Sequence, residues 1–220
     1  MYTQIAMHMH ADLPKEYIHL AWLDLKTSPG AEYWAGMTLA GAYAAANHAV
    51  IHEKIINAAR IDVIGGVENH HNYAWKEQVE VGSSTGRTVQ EAIVHRKGAT
   101  PAGSGVLGII PGSMNAPGFV VRGLGNPASL NSAAHGAGRR MSRGQALKTF
   151  DWDTVRRKLK ADGVDLLSAG LDEVPGVYKD IHAVMQAQHD LVQTVASFKP
   201  MLVKMDSGGK QSFVRGEALD

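Results

Sequence analysis

Hydrophobic residues recur at three- and four-residue steps over three stretches of the chain, and this spacing predicts helices. The first stretch runs from Ala31 to about Arg60 and is long enough for one helix or two. The others cover residues 151–161 and 179–197. In the last stretch a single stripe would be formed by Ile181, Val184, Met185, Leu191, Val192 and Val195.

Shorter apolar or alternating runs predict strands between these helices. They lie at Trp75–Val81, Ile93–Lys97, Val106–Ile110, Phe119–Arg122 and Met201–Lys204, with a turn at Ser83–Gly86. Residues 1–30 are expected to form short irregular elements that end in a turn at Ser28–Gly30. Strands and helices in irregular order favour an α+β (mixed α/β) fold, with the chemistry on glycine-rich loops held by a sheet. We expect one domain over residues 1–205 and a mobile polar tail over 206–220.

Composition narrows the class of protein further. The chain has 220 residues and a net charge of +1, which argues against a surface that coats nucleic acid generally. It contains no cysteine, so neither a disulfide nor a thiolate metal ligand can come from it. No run of eighteen apolar residues and no signal-peptide pattern occur, which predicts no membrane association and a cytoplasmic location.

The segment SLNSAAHGAGRRMSR, from Ser129 to Arg143, carries the clearest chemical pattern. His135 has only small neighbours, as an accessible nucleophile would. Gly136–Gly138 allow backbone N–H groups to approach a ligand closely, and the arginines that follow suit phosphate. This combination indicates a histidine that attacks or carries phosphorus. The alternative is a tight turn before a helix with an ordinary surface histidine.

Other motifs are weaker when taken singly. In ENHHNYA, the adjacent His70 and His71 would point in opposite directions from an extended segment, so both are not expected to bind one metal ion. One of them could be a ligand, or either could be structural. VHRKGAT, which contains Arg96, suits phosphate or RNA backbone, or else a solvated strand end. Lys204 lies within an apolar run and must reach either water or an anion.

Together these strings resemble the RtcB family of RNA-splicing ligases. The matching strings occur in the family's order, from about His19 to Lys204, and are ENHHNYA, VHRKGAT, GIIPGSM, LNSAAHGAGRRMSR, DEVPGVYKDI and FKPMLVK. The resemblance implies an RtcB-like fold, with short strands, packed helices and glycine-rich loops around a central site.

The resemblance also implies a reaction. In this family the histidine at the position of His135 attacks the α-phosphate of GTP and becomes guanylylated, with manganese as the metal cofactor. The GMP then passes to an RNA 3′-phosphate, which a 2′,3′-cyclic phosphate supplies after hydrolysis. An RNA 5′-hydroxyl attacks the activated end, and GMP leaves. GTP, Mn²⁺ and RNA with these ends are therefore the expected cofactors and partners.

Site residues follow from the resemblance position by position. His71 matches a metal-binding histidine and Asn72 a nucleotide contact. Arg96, Arg139 and Arg143 are candidates for phosphate or RNA contact. The guanylate contacts are expected at Pro111, Gly112, Ser113, Met114, Gly136, Ala137, Gly138, Tyr178 and Lys204.

The sequence departs from the family pattern in several places. Family members carry an upstream half with an Asp ligand, a Cys ligand and two further histidine ligands, and no counterpart occurs here. His8 and His10 do not match those motifs. We therefore expect a C-terminal portion that is active with a separate N-terminal half or an archease-like activator. The alternative is a truncated or split form that binds guanine nucleotide or RNA but is inactive alone. Asn115 replaces the usual glycine, Gly118 a common serine and Ala134 a common cysteine.

Overall fold

A 32-residue helix, α2 (Ser28–Ala59), dominates the first of two compact units, Met1–Gly65. The computed structural model describes residues 1–83, 86–207 and 212–214. Thr27 caps the start of α2 by accepting a hydrogen bond from the Gly30 N–H at 3.3 Å. A side chain at Gly30 would place its Cβ 2.0 Å from the Asp24 carbonyl oxygen, so this turn requires glycine. The long helix predicted from residue 31 is therefore one continuous element.

The same unit contains a second helix that the sequence pattern did not predict. It is α1 (Tyr2–Met9), and a 3₁₀ turn follows at Ile18–Leu20. The segment was expected to be irregular because eight residues are too few for a clear helical repeat. The edge of the Tyr2 ring contacts Tyr33 of α2, with 5.8 Å between the ring centroids. This contact is tertiary and leaves no local sequence signal.

The second unit, Gly66–Asp220, contains all the described strands. A long antiparallel hairpin pairs β1 (Asn72–Ser83) with β2 (Gly86–Lys97). Residues 84 and 85 of the predicted turn between them lie outside the described residues. The remaining strands are β3 (Ala99–Pro101), β4 (Leu107–Ile110), β5 (Gly118–Gly123), β6 (Ser132–Ala134), β7 (Asp165–Gly170), β8 (Val192–Phe198), β9 (Leu202–Lys204) and β10 (Ser212–Val214).

These strands form small sheets rather than one continuous sheet. Strand β3 pairs with β6, and a three-stranded antiparallel sheet has the order β4-β5-β8. A second three-stranded sheet has the order β10-β7-β9, in which β7 and β9 are parallel. The described part of the unit also contains the α-helices α3 (Arg143–Thr149), α4 (Trp152–Ala161) and α5 (Ile181–Ala187). The mixture confirms the predicted α+β class.

Two hydrophobic clusters form the interior of the second unit. The first contains Val155 and Leu159 of α4 together with Met114, Val174 and Val177. The second contains Ile110 of β4, Val121 of β5, Ala137, Ile181 and Val192. The loop Pro111–Met114 thus starts at one cluster and ends in the other. Tyr178 packs against both clusters.

The helix predicted over residues 179–197 is wrong in its second half. Helix α5 ends at Ala187, and β8 begins at Val192. The stripe of apolar residues there matches helical spacing by coincidence. The segment from Val192 to Phe198 is rich in β-branched residues and pairs with β5, and this pairing decides its conformation.

The predicted polar tail lies mostly outside the described residues. Its described part includes β10, which pairs with β7. Strand β7 and helix α3 were not predicted, whereas the strand predicted at 201–204 is present as β9. Among the helices of the described residues, none combines the length and the apolar character needed to span a bilayer.

Candidate functional site

The motifs from distant parts of the second unit surround a cavity of about 600 Å³. The loop Pro111–Met114 and the segment His135–Gly138 contribute to it. Residues around Tyr178 and the strand β9 contribute as well. The lining residues are Pro111, Gly112, Ser113, Met114, His135, Gly136, Ala137, Gly138, Arg139, Arg143, Glu173, Tyr178, Pro200, Leu202, Val203, Lys204 and Met205. The fold therefore brings together every expected guanylate contact except Asn72.

One wall of the cavity is made by the loop Pro111–Met114, which directly follows β4. The Ala137 N–H donates a hydrogen bond of 3.0 Å to the Pro111 carbonyl oxygen and so joins this loop to the His135 segment. Gly112 is held tightly, because a Cβ there would lie 2.5 Å from the Pro117 carbonyl oxygen. A Cβ at Gly136 would lie 3.1 Å from the Pro111 oxygen. Gly112 thus allows the tight turn within its own loop, and Gly136 allows the His135 segment to approach Pro111 closely.

His135 lies directly after β6, and its imidazole ring stacks on that of His71. The ring centroids are 5.3 Å apart, and the planes meet at 18°. Gly98 connects the two histidines through its backbone. Its N–H donates to the His71 carbonyl oxygen at 3.1 Å, and its carbonyl oxygen accepts from the His135 N–H at 3.4 Å. Gly98 has φ of +71°, a conformation that favours glycine.

A buried glutamine supports the segment that carries His135. Gln188 is 5% exposed, and its Oε1 accepts a hydrogen bond of 2.9 Å from the Ala134 N–H. Its Nε2 lies 3.5 Å from the sulfur of Met185. The last residue of β6 is therefore fixed by a side chain from beyond α5. Sequence reasoning missed Gln188 because no motif marks a polar group that acts from within the core.

The opposite wall carries a cluster of charged and aromatic side chains. The Tyr178 hydroxyl donates a hydrogen bond to Glu173, whose other carboxylate oxygen pairs with Arg143 at 2.7 Å and with Arg139 at 3.4 Å. Arg143 also pairs with Asp172. The Arg139 guanidinium lies 5.7 Å from the centre of the Tyr178 ring and donates to the Asp172 carbonyl oxygen at 2.7 Å. Arg139 and Arg143, two of the three arginines expected to contact phosphate or RNA, thus line the cavity and are held by acidic partners.

The environment of Tyr178 changes its acidity. Burial, followed by the hydrogen bond and the negative charge of Glu173, raises the pKa of Tyr178 to about 12 from the ordinary 10.0. Its hydroxyl therefore stays protonated near neutral pH and acts as a hydrogen-bond donor. Lys204, at the end of β9, lines the cavity as well. Because Lys204 is exposed, either water or an anion can meet its charge there.

Arg96 is a correction to the sequence interpretation. It was expected to contact phosphate or RNA, but it is only 2% exposed. Its guanidinium makes a two-point pair with Glu77, with N–O distances of 2.6 and 2.8 Å. It also donates to the Ser132 hydroxyl at 2.8 Å and to the Leu130 carbonyl oxygen at 2.9 Å. These four contacts occupy the guanidinium within the protein, so Arg96 connects the hairpin to β6.

Asn72 takes a different place from the other expected contacts. It begins β1 and pairs with Lys97, and it does not belong to the described residues that line the cavity. Glu173, in contrast, lines the cavity and was not singled out from the sequence. The signal was available in DEVPGVYKDI, where an acidic pair precedes Tyr178.

Manganese, which the resemblance implies, needs several oxygen or nitrogen ligands. Within residues 1–83, 86–207 and 212–214, no group of three or more His, Cys, Asp or Glu side chains could hold a metal ion. His71 and His135 supply two imidazoles close together. The described residues therefore do not complete a manganese site on their own.

Comparison with known proteins now decides the family. The family model described as tRNA-splicing ligase RtcB matches residues 1–206. The chain belongs to the RtcB family. The RtcB resemblance inferred from the six strings is thereby confirmed.

Curated relatives carry names that agree with this family. The RNA-splicing ligase RtcB of Escherichia coli K12 is 40% identical over 152 residues, which cover 69% of this chain and 35% of the relative. The tRNA-splicing ligase RtcB of Methanococcus maripaludis is 31% identical over 214 residues, covering 83% of this chain and 43% of the relative. The RNA-splicing ligase RtcB of Mycobacterium tuberculosis is 31% identical over 208 residues, covering 83% and 46%. The chain thus spans less than half the length of these RtcB relatives.

Proposed function

We propose that this chain is the part of an RtcB-type RNA ligase that binds guanine nucleotide and carries the nucleophilic histidine, His135. The observation that supports this most directly is the shared cavity, which joins His135 to the loop Pro111–Met114, to Tyr178 and to Lys204. The RNA substrate is proposed from the relatives, which are named RNA-splicing and tRNA-splicing ligases. We also propose that the small sheets and glycine-rich loops around the cavity are the fold of this family.

The first proposed step is attack by a ring nitrogen of His135 on the α-phosphorus of GTP. A phosphorus–nitrogen bond forms, the bond to the bridging oxygen of the β-phosphate breaks, and pyrophosphate leaves. Negative charge on the phosphates is met by the cations of Lys204, Arg139 and Arg143 at the cavity wall. The small residues Gly136–Gly138 allow the phosphate to approach the backbone closely.

The later steps use RNA. The GMP moves from His135 to an RNA 3′-phosphate, which a 2′,3′-cyclic phosphate supplies after hydrolysis. An RNA 5′-hydroxyl then attacks the activated phosphorus, a phosphodiester forms, and GMP leaves. Holding the two RNA ends in line is the main task of the protein in such a transfer.

Manganese is part of this proposal as the metal cofactor, and His71 is the ligand that we expect from this chain. The ligand set found among the described residues is incomplete, so no step above depends on the metal. We propose that further ligands come from a separate N-terminal half, and that an archease-like activator is an additional partner. The incomplete set also favours a second candidate, in which the chain alone binds guanine nucleotide or RNA without ligating it.

The test is incubation of the purified chain with α-labelled GTP and Mn²⁺, followed by denaturing electrophoresis. It is run with and without the separately expressed upstream part of a full-length relative. His135→Ala removes the proposed nucleophile. His189→Ala is the matched control, because His189 is exposed and bonds only to the Gln186 carbonyl oxygen among the contacts identified for it.

We expect label on the chain when the upstream part is present, and loss of label in His135→Ala but not in His189→Ala. Nucleotide binding without label under both conditions would favour the second candidate. Label that persists in His135→Ala would refute the assignment of the nucleophile. Absence of both label and guanine nucleotide binding would refute the proposed function.

A further inference from the structure

Two hydrogen bonds connect the cavity loop to the end of α4 through Asn115. The Ser113 hydroxyl and the Asn115 Oδ1 are 3.1 Å apart. The Asn115 Nδ2 donates to the Asp162 carboxylate at 2.5 Å. Ser113 lines the cavity, and Asp162 directly follows the last residue of α4. Two successive hydrogen bonds therefore connect Asp162 to the Ser113 hydroxyl, which faces the cavity.

Asp162 fixes which group donates and which accepts in these two hydrogen bonds. An ionised carboxylate can only accept hydrogen bonds, so it must face the NH₂ group of Asn115. The amide oxygen of Asn115 then faces Ser113, and an amide oxygen also can only accept. The Ser113 hydroxyl must therefore donate its single proton to Asn115. Only the lone pairs of Ser113 Oγ remain for a ligand in the cavity.

We infer that Asn115, oriented by Asp162, makes Ser113 a hydrogen-bond acceptor toward the cavity, so that it selects an N–H or O–H donor of the nucleoside. A phosphate oxygen cannot be its partner, since both atoms would present lone pairs. The inference deepens the proposed function and rests on it. Asn115 is a positioning residue here, because it acts on the ligand through Ser113.

The charge of Asp162 is maintained by its surroundings. The hydrogen bond from Asn115, and then the positive charge of Lys158, hold the pKa of Asp162 below its ordinary range. Lys158 Nζ lies 3.5 Å from the same carboxylate. The carboxyl group therefore stays ionised near neutral pH and keeps its role as acceptor. The device is particular to this sequence, because the motif resemblance places glycine at the position of Asn115.

The first measurement is the affinity of the full 220-residue chain for GMP and for guanosine. Xanthosine monophosphate, 2-aminopurine ribonucleoside monophosphate and the 2′- and 3′-fluoro analogues of GMP complete the set. Xanthosine monophosphate replaces the 2-amino donor with a carbonyl oxygen and gains an N3–H group. The 2-aminopurine analogue replaces N1–H with a lone pair and also loses the O6 acceptor, and each fluoro analogue replaces one ribose hydroxyl with fluorine. Binding is compared in the unchanged chain, Ser113→Ala, Asn115→Ala and Asp162→Ala.

We expect one analogue to bind the unchanged chain about tenfold more weakly than GMP, the factor that one hydrogen bond contributes. In Asn115→Ala and Asp162→Ala the Ser113 hydroxyl can rotate and donate, so the factor falls below about threefold. Ser113→Ala should weaken guanosine and GMP equally. A loss in Ser113→Ala that is confined to GMP would place Ser113 on the phosphate and overturn the inference.

Two controls separate this effect from general damage. Asp190→Ala breaks a comparable pair, Asn126 Nδ2 to Asp190 at 3.1 Å, and should leave every affinity ratio unchanged. Lys158→Met removes the ion pair to Asp162 but keeps the bond from Asn115 to Asp162. Circular dichroism checks folding of each variant. The side-chain amide NMR signals of Asn115 should shift in Asp162→Ala and not in Asp190→Ala.

The outcomes separate failure of this inference from failure of the proposed function. GMP binding with equal ratios in all variants, or unchanged Asn115 amide signals in Asp162→Ala, overturns the inference and leaves the proposed function standing. If neither GMP nor guanosine binds, the nucleotide-binding part of the proposed function falls, and the inference falls with it.

Discussion

The backbone N–H of Ala137 lies 3.0 Å from the carbonyl oxygen of Pro111 and joins two loops from distant parts of the sequence. One loop carries the proposed nucleophile and the expected contacts Gly136–Gly138, and the other carries the expected guanylate contacts Pro111–Met114. Because the bond is made by main-chain atoms, the spacing of the loops depends on how closely their backbones can approach. Glycines at this contact therefore affect both stability and ligand binding.

Gly112→Ala tests the packing within the loop that carries Pro111. The added Cβ would lie 2.5 Å from the Pro117 oxygen, so the loop must move. Forced overpacking of this kind costs about 2 kcal/mol, and we expect the free energy of unfolding in urea to fall by that amount. GMP affinity should fall in parallel. Gly144→Ala in α3 is the control, because nothing lies within 4 Å of its added Cβ. Equal stability of the two variants would contradict the prediction.

Arg96 is expected to act on stability rather than on RNA binding. Arg96→Ala leaves the partly exposed Glu77 without its guanidinium partner, and we expect the free energy of unfolding to fall by about 1–3 kcal/mol. Arg96→Lys should restore little, since an ammonium cannot reproduce the two-point pair. Arg157→Ala, which alters an exposed arginine of α4, should change the unfolding free energy by less than about 0.5 kcal/mol. Normal stability of Arg96→Ala would show that the pair contributes nothing.

Tyr178 should titrate later than an ordinary tyrosine. Its pKa in the folded chain is about 12, against 10.0 ordinarily, so folding favours the protonated form. The corresponding stability is fully present below pH 10 and is lost as the pH rises toward about 12. Ultraviolet titration of phenolate absorbance should show a late component that disappears in Tyr178→Phe. Tyr17→Phe, at an exposed position, should retain it.

Glu173→Gln separates the causes of this shift. Burial is the largest cause and remains, whereas the negative charge of Glu173 is removed. The pKa of Tyr178 should therefore fall only part of the way toward its ordinary value. An unchanged late component would mean that Glu173 does not interact with the phenol.

Gln188→Met tests the support of the His135 segment. The substitution keeps the volume but leaves the Ala134 N–H without its acceptor, which costs about 1–3 kcal/mol for a buried group. We expect lower thermal stability and reduced labelling of His135 by GTP. Gln186→Met, at a nearby exposed position, should have neither effect. Equal labelling of both variants would remove Gln188 from the site.

The extent to which the sequence could predict this molecule differs between features. The long apolar repeat before Arg60 predicts α2 because a helix of 32 residues carries many turns of pattern. The segment at Val192–Phe198 could not be assigned in this way, because its pairing with β5 is a tertiary contact. For the site, motif order was enough to collect the loops that share the cavity. The role of Arg96 was hidden, since nothing local distinguishes a buried guanidinium from a surface one.

The position of Tyr178 against both hydrophobic clusters has a consequence for cooperativity. A nucleotide in the cavity would contact residues of each cluster. Its binding free energy would therefore raise the free energy of unfolding of both clusters. The occupied protein should then lose its two clusters at one shared midpoint, which rises with nucleotide concentration. Ligand binding would thus couple the unfolding of the two hydrophobic clusters of the second unit.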